Sequence, residues 1–264
     1  MTAHPSLWAP AMSSSPDASF SLESLRSRRL TSETAWSLAL ASRLADGDAA
    51  TAGDTLSAWG FEAGELFHGG DGPGYLATAG EVVLLAFGSR QPAVPWPGAE
   101  TVIRPFGQVH AVAWNAFTAV EGTIRTALGI LGAKGKPLWI AGHGTGGSLA
   151  VLAASELDAE YPVAGVYTYF SACVGKFDFA DRFDAKFLGR SFRFEASMDQ
   201  VFAVPPGFRH VQMLVRLDLG DATEEGAEDP PAPSIDRCLD RLRTQAAAER
   251  LKRIGTPKPE TMPP

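Results

Sequence analysis

The sequence has only two cysteines, Cys173 and Cys238, in 264 residues, too few for a disulfide framework. It has no apolar run approaching the ~18 residues that a membrane span needs. The N-terminus lacks a basic start followed by a sustained apolar stretch, and Pro5, Pro10 and Pro16 interrupt it, so no signal peptide is read there. A cytoplasmic protein is the expectation. Basic residues are the minority, 23 Lys and Arg against 30 Asp and Glu for a formal charge of −7. That balance excludes the basic face through which nucleic-acid binders release counterions. The acidic stretch holding Asp218, Asp221, Glu224, Glu225, Glu228 and Asp229 lacks the fixed carboxylate spacing of a calcium loop. No metal and no cofactor is expected. Histidine is scarce as well: His4, His68, His110, His143 and His210 are the full set.

What the sequence does have is the composition of a folded protein, 45% hydrophobic and 20% charged. Residues 1–28 are rich in Ser, Ala and Pro and read as a mobile extension; residues 29–255 read as one domain and 256–264 as a flexible tail. Within the domain, Thr31 and Ser32 can cap a helix to about Asp46 that carries Trp36, Leu40 and Leu44 at helical spacing. A short helix follows near residues 54–61, then the turn Gly69-Gly70-Asp71-Gly72-Pro73-Gly74. From there strands and helices alternate. Strands are expected over 81–87, 137–141, 163–170, 192–196 and 210–217. Helices are expected over 107–131, 146–157, 178–187 and 234–254. This alternation predicts an α/β fold with a mainly parallel sheet and helices on both faces.

The chemistry-bearing feature is the run Trp139-Ile140-Ala141-Gly142-His143-Gly144-Thr145-Gly146-Gly147, a strand, a glycine-dense turn and a helix start. That is the context of the nucleophile elbow G-x-S-x-G. There small residues let a strained turn lift the nucleophile into the site, and amides at the helix start stabilise an oxyanion. Here the middle position is Gly144. Residues 137–154 (PLWIAGHGTGGSLAVLAA) resemble the G-H-S-L-G-G-A-L-A elbow of the class-3, fungal-lipase-like family of α/β-hydrolases. Gly165-Val166-Tyr167-Thr168-Tyr169 and Val174-Gly175 are similar to the family's Y-T-F-G-x-P-R-V-G. Met198-Asp199-Gln200-Val201 with Pro205-Pro206 resembles its N-x-x-D-x-V-P-x-L-P-P.

The resemblance implies an α/β-hydrolase fold, an acyl or lipid ligand, and a Ser, Asp and His triad; members of the family are often secreted. Carried over by position, the nucleophile falls on Gly144, the acid on Asp199 and the base on Pro233. Gly142, His143, Thr145 and Gly146 form the elbow, and Ser89 stands on the oxyanion strand, where F-R-G-T has become Phe87-Gly88-Ser89-Arg90. No histidine follows His210, and His210 lies too close behind Asp199 to act as its partner. Asp199 alone is as well explained by backbone hydrogen bonds in a turn. The expectation is therefore an inactive lipase-like protein that either takes an acyl or other apolar ligand in its cleft, under the family's lid region at residues 92–105, or acts through protein contacts. The other reading is an altered ester hydrolase that uses Thr145 or an activated water, with Asp199 as base.

Overall fold

The computed structural model describes residues 7–8, 20–26, 30–69, 72–89, 96–196, 204–219 and 234–255. Its elements in chain order are β1 (Leu7–Trp8), α1 (Leu22–Arg26), α2 (Ser32–Leu44), α3 (Ala49–Ala58), β2 (Ala63–Gly69), β3 (Gly72–Ala79) and β4 (Val82–Phe87). These are followed by β5 (Thr101–Arg104), β6 (Gly107–His110), α4 (Ala111–Ile130), β7 (Leu138–His143), α5 (Thr145–Leu157) and β8 (Val163–Tyr169). The chain ends with α6 (Phe177–Lys186), β9 (Ser191–Ala196), β10 (Met213–Leu217) and α7 (Ile235–Gly255).

Eight strands form one sheet in the order β1-β2-β3-β4-β7-β8-β9-β10. The first four pair antiparallel, and β4, β7, β8, β9 and β10 run parallel. The parallel half needs crossovers, and the helices that provide them cover both faces. Consequently β4 and β7 are buried along their whole length, which is why they read as unbroken apolar runs. Successive residues still alternate between two cores. Val83, Leu85 and Phe87 with Leu138 and Ile140 meet α4, α5 and α6, while Leu84, Ala86, Trp139 and Ala141 meet α2 and α7. Two buried phenols fix α2 to the sheet: Tyr75 Oη donates to the Ala41 carbonyl at 2.9 Å, and Tyr169 Oη donates to that of Ala35.

The α/β reading and the sheet with Gly144 at a strand's C-terminal end are as expected, but several local features differ. The glycine-rich turn at 69–74 is entered by a strand pair, β2 and β3, that the sequence reading left out. Gly74 sits there because a Cβ would collide with the Phe67 ring and the Ala86 carbonyl. Residues 107–110, expected as helix, form strand β6 of a separate hairpin with β5. His110 then caps α4, its Nδ1 accepting from the Val112 amide at 3.3 Å. Before α2, Phe20 stacks on Trp59 with ring centroids 4.4 Å apart, and Leu25 is buried among the α2-side core residues.

Candidate active site at the C-terminal ends of β4 and β7

Parallel strands end together, so the residues that follow β4 and β7 are neighbours at one edge of the sheet. The backbone leaves β7 through Gly144 at φ 55°, ψ −129°, a left-handed conformation costly for residues with a Cβ. It enters α5 directly at Thr145. The Gly144 amide donates to the Tyr169 carbonyl at 2.9 Å, tying the turn to β8. This tight turn works only because α5 approaches the strands closely. A Cβ on Gly146 would overlap the carbonyl oxygens of Gly88 and Phe87, and one on Gly142 would overlap the Gly146 carbonyl.

The polar groups here are mutually satisfied. His143 Nε2 lies 2.9 Å from Asp46 Oδ2, and the other carboxylate oxygen accepts from the Ser89 amide at 2.7 Å. Asp46 stands just beyond α2, and its side chain is 18% exposed against 11% for His143. Arg43 approaches the same carboxylate only at 3.6 Å and is bound more closely to Asp236, at 2.9 Å. Ser89 Oγ and Thr145 Oγ1 are 3.0 Å apart, and the Thr145 amide donates to Ser89 Oγ at 3.3 Å. Behind them Trp96 Nε1 donates to Ser148 Oγ at 3.2 Å, and that hydroxyl donates to the Ala172 carbonyl at 3.0 Å.

Of the residues singled out from sequence, Gly142, His143, Gly144, Thr145, Gly146 and Ser89 are brought together at this edge. Asp199 and Pro233 lie outside the described residues. In the lid region Val94 is also outside them, Trp96 is buried, and Val102 packs partly buried against the core. No cluster of three or more metal-ligating side chains occurs among the described residues.

Asp46 was missed by the sequence reading. It is 97 residues from His143 and belongs to no motif. Its discovery corrects the central expectation: the reactive edge does hold an imidazole, with a carboxylate on it. An imidazole bonded through one nitrogen to a carboxylate has its tautomer and orientation fixed, the arrangement that hydrolases use to handle protons. The reading of the chain as an inactive protein without a catalytic histidine is overturned by this pair, taken with the family match below.

The model of the family described as lipase (class 3) matches residues 87–208. No curated relative matches. Among solved structures, the Lip2 lipase of Yarrowia lipolytica superposes with a TM-score of 0.56 at 16% identity, covering 85% of this chain and 86% of that one. A mutant form of MDLA from Penicillium cyclopium gives 0.55 at 22% identity, covering 85% and 91%. A structure described as showing an unusual buried polar cluster in a family of fungal lipases gives 0.53 at 24% identity, covering 77% and 84%.

At these identities the likeness carries the fold. The expected cytoplasmic placement is also corrected, because the family matched is one whose members are characteristically secreted. No helix among the described residues is long and apolar enough to cross a membrane, which by itself points to no compartment. Residues 87–208 of the chain match the lipase (class 3) family model, and the described fold is the one these fungal lipase structures share.

Proposed function

We propose that this protein is an altered carboxylic-ester hydrolase in which His143, held by Asp46, is the general base and water is the nucleophile. The observation that carries this reading is the 2.9 Å contact between His143 Nε2 and Asp46 Oδ2 beside the elbow. With Nε2–H donated to the carboxylate, the lone pair of the imidazole resides on Nδ1, the form that accepts a proton. Gly144 supplies no side-chain atom, and the Ser89 and Thr145 hydroxyls are bonded to one another. A water molecule therefore has to attack the acyl carbon. The imidazole takes its proton and returns it to the departing alkoxide, giving an acid and an alcohol. The protonated imidazole is stabilised meanwhile by the Asp46 charge.

The resemblance to lipases supports acylglycerols or other esters as the substrate class, with the acyl chain placed above Gly144. By the sequence resemblance, Gly144, Asp199 and Pro233 fall at the family's nucleophile, acid and base positions, and in this proposal the two latter roles pass to Asp46 and His143.

The test is hydrolysis of nitrophenyl acetate and octanoate by the purified protein, beside His143→Gln and Asp46→Asn. Turnover above background that is lost in His143→Gln supports the reading. Turnover at background, or turnover unchanged in His143→Gln, overturns it.

A further inference from the structure

At the opposite end of the sheet from the elbow, where the parallel strands β9 and β10 begin with Ser191 and Met213, there is a cleft of about 250 Å³. Its walls include Phe187, Leu188 and Met213, and its polar groups come from Asp184, Ser191 and Gln212. Four independent features converge on it.

The first is backbone strain. Gln212 has φ 79°, a conformation that a residue with a Cβ keeps only where its surroundings over-determine it; such outliers cluster at ligand clamps and active sites. Here the surroundings do so. The Gln212 amide donates to Asp184 Oδ1 at 2.7 Å. Its Nε2 donates to the carbonyls of Val166 and Phe192 at 3.2 and 3.3 Å, and its Oε1 accepts from Thr168 Oγ1 at 2.7 Å. The floor of the cleft is thus fixed before any ligand arrives.

The second feature is Ser191, 3% exposed, whose hydroxyl has no hydrogen-bond partner. A buried hydroxyl left unpaired costs free energy and calls for a partner. The third is an apolar rim: Leu188 and Met213 are among the exposed large hydrophobic side chains. The fourth is charge. Among the described residues lining the cleft, Asp184 is the only ionisable one. Arg209 is shared between Asp181 at 2.8 Å and Asp184 at 3.5 Å, so one negative charge of that trio is not offset. Among the neighbouring cations, Lys186 and Arg190 are engaged with Asp158, and Arg193, whose charge also reaches Asp184, is paired with Glu195.

We infer that this cleft is a binding site for a small organic cation, a primary ammonium on an apolar body. The ammonium would meet Asp184 and the Ser191 hydroxyl, and the body would lie on Phe187, Leu188 and Met213. The volume suits roughly eight heavy atoms at about 30 Å³ for each water-sized group. The site is separate from the ester-hydrolase edge and does not depend on that activity.

Hexylammonium is the probe, titrated calorimetrically beside hexanol and hexanoate. Saturable binding of hexylammonium at least tenfold tighter than hexanol, with no binding of hexanoate, is the expected result. Asp184→Asn, which keeps an oxygen for the Gln212 amide, should bring hexylammonium down to the affinity of hexanol. Met213→Trp fills the cleft from a half-exposed position without touching the polar floor and should abolish binding while leaving the thermal midpoint in place. Absence of saturable binding, equal affinity for the three probes, or binding that persists in Met213→Trp overturns the inference.

Discussion

Replacing Asp46 separates the structural part of its role from the chemical part. Its carboxylate accepts two hydrogen bonds, from His143 Nε2 and from the Ser89 amide. In Asp46→Ala both donors lose their acceptor. A buried group left unsatisfied costs about 1–3 kcal/mol, but with the Asp46 side chain 18% exposed water can reach part of the gap. A loss of about 2–4 kcal/mol follows for the two together.

Asp46→Asn behaves differently. Its carbonyl oxygen still accepts from Ser89, and its amide can donate to an imidazole that has shifted its proton to Nδ1. Stability should then fall by no more than about 1 kcal/mol, the worth of one ordinary hydrogen bond. The base, however, is now protonated on the nitrogen that should accept. In a well-studied protease the same tautomer error costs about 10⁴ in turnover.

Urea unfolding, with the midpoint and slope read separately, and ester hydrolysis on the same samples test both halves. Asp46→Asn should be stable and inactive, and Asp46→Ala unstable and inactive. An Asp46→Asn protein with undiminished turnover would refute the catalytic half. An Asp46→Ala protein within about 0.5 kcal/mol of the parent, the ordinary range for surface changes, would refute the structural half.

Gly146→Ala forces a methyl into the Gly88 and Phe87 carbonyl oxygens; backbone cannot yield cheaply, so a loss of about 1–3 kcal/mol or more is expected, read from the thermal midpoint. The protein should not be labelled by serine-directed phosphonates, because Gly144 has no hydroxyl; intact-mass spectrometry would reveal any adduct. Burial, aided by the Arg193 charge, lowers the His210 pKa from its ordinary 6.5 to about 4. The folded state therefore resists a proton that the unfolded chain accepts, and stability is lost as pH falls from about 6.5 towards 4. Unfolding midpoints measured across that window should flatten in His210→Gln.

The elements that the sequence reading found are those whose signal is local. The run Val82–Phe87 is apolar at every position because both faces of β4 are covered, and the glycines around Gly144 announce a turn whatever packs on it. The missed elements have signals that point elsewhere. Gly107–His110 continues smoothly into a helical pattern, and only its pairing with Thr101–Arg104 makes it strand. Gly72 and Gly74 look like loop, yet they occur within β3 because Gly88 and Phe67 leave no room for a Cβ.

The same division holds at the site. Sequence alone showed the glycine-dense turn around Gly144 and its resemblance to the class-3 lipase elbow. The partner of His143 was decided only when α2, packed beneath β4 and β7 by Tyr75 and Tyr169, delivered Asp46 to the strand ends. A hydrogen bond between residues 97 positions apart leaves no periodicity, spacing or composition in the chain, because it is specified by the packing of a whole layer rather than by either residue's neighbours.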